Sequence, residues 1–332
     1  MTEVLDPVQR RELSRKRDRP WADFWRRRLI RFVVSLWALV TFSFLIVHLV
    51  PGDPVRAALG LTADPALIAA RRQELGLNDP LIVQYWNFLR HLVTGDLGVG
   101  IGSRLPVIET ISDRLGNTLQ LGVLAFLVVI IISVPLGVGM AIITRGGRRR
   151  VGELGFTSTA VVIASIPEFL LAVALVSVLG VSWQWLPIAG KDGFSSYLMP
   201  VIALALGPAL ALARLIRIET LAVLGADFVR TARSKRLRPR LIYLRHALPN
   251  ALTATLTIGG LLLSGLITGT VLVETVFAWP GLGPTTVTAI INKDFPLIHG
   301  IVLVYGGLIL LITLLVDVLL AVVDPRSTIR ES

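Results

Sequence analysis

Chemistry needs reactive side chains at workable spacings, and this chain offers few. Its four histidines, His48, His91, His246 and His299, are scattered and form no H-E-x-x-H metal pair. No G-x-S-x-G elbow presents a serine nucleophile. No G-x-x-x-x-G-K-[ST] loop cradles a phosphate, since Gly190-Lys191 is followed by Asp192. Cysteine is absent. That excludes disulfides, cysteine-ligated zinc, iron–sulfur clusters and thiol nucleophiles together, and leaves the redox compartment unreadable. The residues argue against an active site. What remains is two acids inside long apolar stretches, Glu168 and Asp317. A charge at a bilayer centre costs about 2.5–3.5 kcal/mol, so each requires a reason. Glu168 follows Pro167, where broken backbone can line a wet cavity. It is a candidate pathway residue or proton site; the other reading, which the residues favour, is an interfacial carboxylate bonded to a neighbouring helix. Asp317 lies within two turns of the end of its stretch and is expected to pair with an arginine. A proton-coupled carrier usually shows a fuller chain of intramembrane carboxylates or histidines, so two isolated acids weigh against one.

These acids sit in a chain of 332 residues that is 54% hydrophobic and 17% charged, with a mean hydropathy of +0.73. A soluble domain carries about 25% charged residues. The composition excludes disorder and argues against a cytosolic globule. Six stretches can cross about 30 Å of hydrocarbon at about 1.5 Å per residue. They run from about 29 to 50, 117 to 143, 156 to 181, 197 to 213, 252 to 273 and 298 to 323. The fourth is the shortest and is interrupted at Gly207-Pro208. Each is apolar all round, which suits lipid or a bundle interior. The first is followed by Val50-Pro51-Gly52-Asp53-Pro54 rather than a small-residue cleavage site, so no removed signal peptide is expected. The expected fold class is an all-α membrane protein of six transmembrane helices. A basic arm covers 1–28, the membrane domain 29–323 and a tail 324–332.

Net charge is +11 and the sequence pI is near 11.0. Of 33 Lys and Arg, ten lie in residues 1–31, four after the second stretch, nine between the fourth and fifth, and two in the tail. The other eight fall on the opposite side. The positive-inside rule then places both termini in the cytoplasm of a multi-pass membrane protein. This segregation explains the pI without nucleic acid, and no aromatic-interleaved basic module accompanies the arginines. The basic arm reads as a topology signal interacting with anionic lipid.

Two loops exceed plain connectors. The outer loop, 51–116, holds two helical pieces, one over 65–75 capped by Asp64 and one over 80–93; both are placed on the outer membrane face. They cap the bundle or contact a partner. The basic loop, 214–251, reads as helix, bend, helix. Asp227 caps 228–237, Pro239 breaks the chain, and 240–248 follows until Pro249, with Leu241, Leu244 and Leu248 on one face. Apolar anchors beneath an exposed basic side describe a docking element.

Here the chain resembles a family. The cytoplasmic loop of the membrane subunits of ATP-binding-cassette importers carries E-A-A, three residues, G, nine residues, then I-x-L-P. Arg230-Thr231-Ala232 occupies the triplet and Leu248-Pro249 the LP position. The wording DFVRTARSK…LRHALPNAL is similar to the B-type permease of the dipeptide, oligopeptide and nickel branch. Other pieces agree in order: Val50–Pro54, Leu75–Pro80, Gly95–Gly98, Ser165-Ile166-Pro167, Leu186-Pro187, Glu274–Gly283 and Asp324-Pro325-Arg326. Two positions depart: Arg236 stands where the family has Gly, and His246 where it has Ile.

The resemblance, over about 27–327, implies a type I importer permease fold and a non-catalytic translocation subunit. Its implied partners are a second homologous permease, two ATPase subunits, an extracytoplasmic binding protein and membrane lipid, with no nucleic acid. ATP and Mg would bind in the ATPase chains, and no cofactor or metal in this one. Asp227, Arg230, Thr231, Ala232, Lys235, Arg236, Leu237, Leu248 and Pro249 would form the ATPase-coupling loop. Glu168, Glu274, Phe277, Trp279, Pro280 and Gly281 are candidates to face the pathway or the receptor. Gly265 and Gly269 are candidates for the seam between permeases, with lipid-facing or intrachain packing as the alternative. The implied cargo is a dipeptide or oligopeptide, with nickel, glutathione or sugar as alternatives. A self-sufficient secondary carrier or channel is the other class of function.

Overall fold

The computed structural model describes residues 20–49, 55–56, 64–74, 76–101, 104–147, 149–235, 238, 241–243 and 248–323. The basic arm up to residue 19 and the tail 324–332 lie outside them. So do Arg236, Leu237, Pro239, Leu244 and His246 of the basic loop.

Helices dominate. In chain order they are α1 (Pro20–Leu49), α2 (Pro65–Glu74), α3 (Leu81–Val93), α4 (Val107–Thr144), α5 (Arg150–Ala164), α6 (Glu168–Leu175), α7 (Ser195–Gly225), α8 (Asp227–Ser234), α9 (Leu248–Val276), α10 (Leu282–Ile291) and α11 (Phe295–Val323). A wider turn, Val176–Ser182, extends α6. Among the described residues the only β pairing is an isolated bridge between Val99 and Pro106. Five helices are long and apolar enough to span a membrane: α1, α4, α7, α9 and α11. The third apolar stretch is not one rod. It is α5 followed by α6 and its extension, bent by 92° at Ser165-Ile166-Pro167. Pro167 supplies the break, because it has no N–H and clashes with the preceding turn.

That bent pair still crosses the bundle. At the end of α4 that leads into α5, Arg217 of α7 donates from Nε to Thr144 Oγ1 at 3.1 Å. At the opposite end Lys191, four residues before α7, bonds Asn117 of α4. The chain between must travel from one end to the other. We call the first the basic end, for its clustered arginines, and the second the far end.

The first and last spans pack antiparallel. Arg28 pairs with Asp317, as the sequence anticipated for that acid. Further along, Leu39 lies against Gly306. Near the far end Phe44 meets Phe88 of α3 at 5.7 Å, and Phe88 meets His299 at 5.2 Å. The start of α1 and the end of α11 therefore share the basic end.

Several boundaries differ from the sequence expectation. Gly207-Pro208 does not interrupt the fourth stretch; α7 runs through Pro200 and Pro208 for 31 residues. Membrane helices tolerate proline where neighbouring elements and local adjustment re-satisfy the freed carbonyls. The basic loop accordingly starts at Ala226 rather than 214. α4 begins at Val107, ten residues before the apolar run, because Val107 and Ile111 find a core against Leu282, Leu297 and Ile301. α9 opens at Leu248 with Pro249 in its first turn, where a missing N–H costs nothing, so Pro249 starts a helix rather than ending one.

The main core joins α4, α7, α9 and the turn after α9, through Leu121, Val129, Leu204, Ile216, Leu266, Phe277 and Trp279. Close approach is literal at Gly137. A Cβ there would stand 2.5 Å from the carbonyl oxygen of Ala213 and 2.8 Å from Ile216 Cβ.

Candidate functional site

At the basic end, α7 leads through Ala226 into α8. The cap is Ala226, with extended backbone, not Asp227. Asp227 sits in the first turn, where a carboxylate complements the helix dipole, and contacts Arg230 at 3.3 Å. The helix is amphipathic. Val229 and Ala232 are buried with Leu224 and Ile242 in a small separate core. Phe228, Arg230, Thr231, Ser234 and Lys235 are exposed. The anchor from the second part of the loop is Ile242, not Leu241, which is exposed. Ala232 thus holds the loop to α7 and is not on its outer surface. Phe228, 46% exposed at the tip, escaped the sequence reading because an aromatic within an apolar chain gives no signal of its own.

Behind α8, Arg217 is buried and pairs with Glu153 of α5 at 2.6 Å while holding Thr144 of α4. This one guanidinium ties three helices together above the loop.

At the far end a polar junction joins α4, the 183–194 loop, α7 and the turn after α9. Lys191 donates to Asn117 Oδ1 at 2.6 Å and Gln120 Oε1 at 2.9 Å. It stands 5.9 Å from the Tyr197 ring centroid and 5.7 Å from that of Trp279. Asn117 Nδ2 donates to Pro280 O at 2.7 Å, and Gly190 N–H to Phe277 O at 2.9 Å. The Gly190 backbone is left-handed, with φ +86°, which glycine adopts freely. The sequence passed over Lys191 as the remnant of a phosphate loop.

The 274–283 turn was expected to face the pathway or a receptor. Most of the candidate residues point inward instead. Glu274 and Trp279 are fully buried, and Phe277 and Gly281 are buried with them. Glu274 Oε2 accepts from Gly283 N–H at 2.7 Å, at the start of α10, where helix N–H groups lack intrahelical partners. A Cβ on Gly281 would collide with that carboxylate. These residues are a staple between α9 and α10; only Pro280 of the set is exposed.

Glu168 stands at the bend between α5 and α6, half-buried. Its carboxylate lies against Gly269 of α9, where a Cβ would clash with it. Gly269 is therefore engaged within the chain, while Gly265 is exposed with open space above it.

Among the described residues no group of three His, Asp or Glu is placed to hold a metal. Membrane-length helices around a close-packed core, with an exposed amphipathic helix at one end, define a multi-pass membrane protein. The comparisons agree. The family described as binding-protein-dependent transport system inner membrane component matches residues 133–329, and its N-terminal counterpart matches 22–122. The chain belongs to that family: it is a multi-pass inner-membrane permease component of an ABC importer, without catalysis of its own.

A glutathione transport system permease protein GsiC of Pectobacterium atrosepticum is 37% identical over 303 residues, covering 91% of this chain and 98% of the relative. GsiC of Escherichia coli K12 is 35% identical over 299 residues, covering 90% and 96%. Among solved structures, two inward-facing forms of the methionine ABC transporter MetNI share the fold. Their TM-scores are 0.52 and 0.54, at 19% and 20% identity, covering 65% and 64% of this chain and 97% and 95% of theirs.

Proposed function

We propose that this chain and a second, homologous permease enclose the translocation pathway of an importer for peptide-type cargo, glutathione among the candidates. Both termini are cytoplasmic, so the basic end faces the ATPases and the far end a binding protein. ATP and Mg bind in the two ATPase chains and none in this one. The observation that carries the reading is α8. Its small core fixes it to the end of α7, and its exposed face, Phe228, Arg230 and Lys235, is free to enter an ATPase cleft. Closure of the ATPases then moves α8 as a rigid body, and Arg217 passes that movement to α4 and α5. The cargo assignment is supported by the GsiC relatives and by the shared permease motifs.

The test is Phe228→Glu in the reconstituted complex. The residue is exposed, so the bundle folds. ATP-driven uptake is expected to fall at least about tenfold, as when an aromatic interface anchor is lost, while ATP hydrolysis continues. Normal uptake in that variant, or uptake by the chain alone in ATP-free liposomes, would overturn the reading.

A further inference from the structure

We propose that the bend at Ser165-Ile166-Pro167, with Glu168, lines a water-filled part of the pathway and receives the positively charged group of the cargo, an ammonium in a peptide. The proposal rests on the permease reading and deepens it.

Depth comes first. α5 leaves the basic end at Arg150 and rises for 15 residues, about 22 Å at 1.5 Å per residue. That leaves the bend within the hydrocarbon thickness, about 30 Å. The contact with Gly269 agrees, because its neighbours Ile267 and Thr270 meet Gly122, inside the apolar run of α4.

Two features at this depth are incompatible with lipid. One is backbone. The Ser165 and Ile166 N–H groups turn back onto Val161 O and Ile163 O, and Pro167 O accepts from Leu170 and Leu171, so the groups left open are the first N–H groups of α6. Such backbone is tolerated in a membrane only when buried in protein or lining water. Ser165, Ile166 and Pro167 are all exposed on this chain, so the chain does not bury them itself. The other is charge. Among the described residues the Glu168 carboxylate has neither a hydrogen-bond nor an ion-pair partner. The nearby Ser165 hydroxyl is turned back onto Val161 O at 2.8 Å and offers it nothing. An intramembrane acid is expensive and faces a cavity or a counter-ion.

The sign of the missing partner follows. Among the described residues no cation pairs with Glu168, and three within the bundle are engaged elsewhere: Arg28 with Asp317, Arg217 with Glu153, and Lys191 with Asn117 and Gln120. The counter-charge then comes from the cargo. Gly269, lacking a side chain, leaves room for the carboxylate against α9. A basic side chain of the second permease would serve equally in charge, but it would close the site to water and cancel its preference for cations.

The natural absence of cysteine makes the test direct. A single cysteine is placed at exposed Phe169, as Phe169→Cys, in the assembled importer with cysteine-free partner chains in vesicles. It is treated with the cationic trimethylammonium-ethyl and the anionic sulfonatoethyl methanethiosulfonates. The cation is expected to react about tenfold faster, as a focused field concentrates counter-ions. Adding Glu168→Gln should bring the ratio to about one, and Glu168→Asp should retain the preference. Co-purification of the partner chains verifies assembly. No reaction with either reagent would mean burial against the partner or lipid, and would overturn the proposal. Equal rates indifferent to Glu168→Gln would overturn the cation site. The importer reading fails separately: cation-selective labelling that ignores ATP and vanadate would leave the site standing and remove the alternating pathway.

Discussion

Glu274 is a fully buried carboxylate, and such a group is costly wherever its lone pairs are left unmet. Gly283 N–H meets Oε2 and the hydroxyls of Thr118 and Thr270 stand beside the group, but Oε1 is buried without a hydrogen-bond partner. Glu274→Ala would leave that N–H buried and unpaired, costing about 1–3 kcal/mol. The check is a lower apparent unfolding midpoint of the detergent-purified complex. An unchanged midpoint would show that the turn does not depend on this staple. Arg217 poses the same question at the basic end. Removing one member of a buried ion pair costs about 3–5 kcal/mol. Glu153 is partly exposed and can rehydrate, which places Arg217→Met nearer about 2 kcal/mol after solvent screening. Because Arg217 holds Thr144 as well as Glu153, that variant should also weaken coupling between ATP hydrolysis and uptake. Arg217→Lys should restore one contact but not the fork across both partners.

Among the elements, α4 and α7 form the centre of the bundle, and their contact depends on the absence of a side chain at Gly137. Gly137→Ala sets a methyl against Ala213 backbone, which cannot rotate away. Overpacking of this kind costs about 1–3 kcal/mol. Gly269→Ala meets only the end of the Glu168 side chain, which can move, so it should spare stability and instead change reactivity at Phe169→Cys. Comparing midpoints of the two variants separates the cases. Element positions were legible from apolar length alone, and the amphipathic α8 from its mix of apolar and basic residues. Their shapes were not. The 107–116 segment contains Glu109, Asp113 and Arg114, and hydropathy cannot distinguish a helix leaving the membrane from a loop. Pro167 and Pro208 look alike in sequence, yet one breaks its helix and the other does not. Tertiary support decides: Ala205, Ala209 and Leu212 around Pro208 are buried, whereas Ile166 and Phe169 around Pro167 are exposed. The 274–283 turn misled for a related reason. Its Pro-Gly pair and aromatics suit an exposed recognition loop, and only the neighbouring α4 surface shows that they fill a core.

For the whole molecule, topology follows from packing. The antiparallel pairing of α1 with α11 puts the start of one and the end of the other together, so the chain crosses an even number of times. Five straight spans alone would leave those ends apart; the bent α5–α6 pair supplies the sixth crossing. Parity sets the two ends on one side, and arginine placement chooses which. Along the described chain Arg26, Arg27, Arg28, Arg149, Arg150 and Arg214 gather at the basic end, the side the positive-inside rule assigns to the cytoplasm. Val151 and Val93 make a matched pair of reporters, because they are 85% and 87% exposed at opposite ends. With no native cysteine, Val93→Cys in intact cells should react with a membrane-impermeant maleimide while Val151→Cys does not, and permeabilisation should expose the second. The reverse pattern would place α8 outside the cell, away from any source of ATP. Labelling of both sites in intact cells would mean an odd number of crossings, which the Arg28–Asp317 pairing forbids.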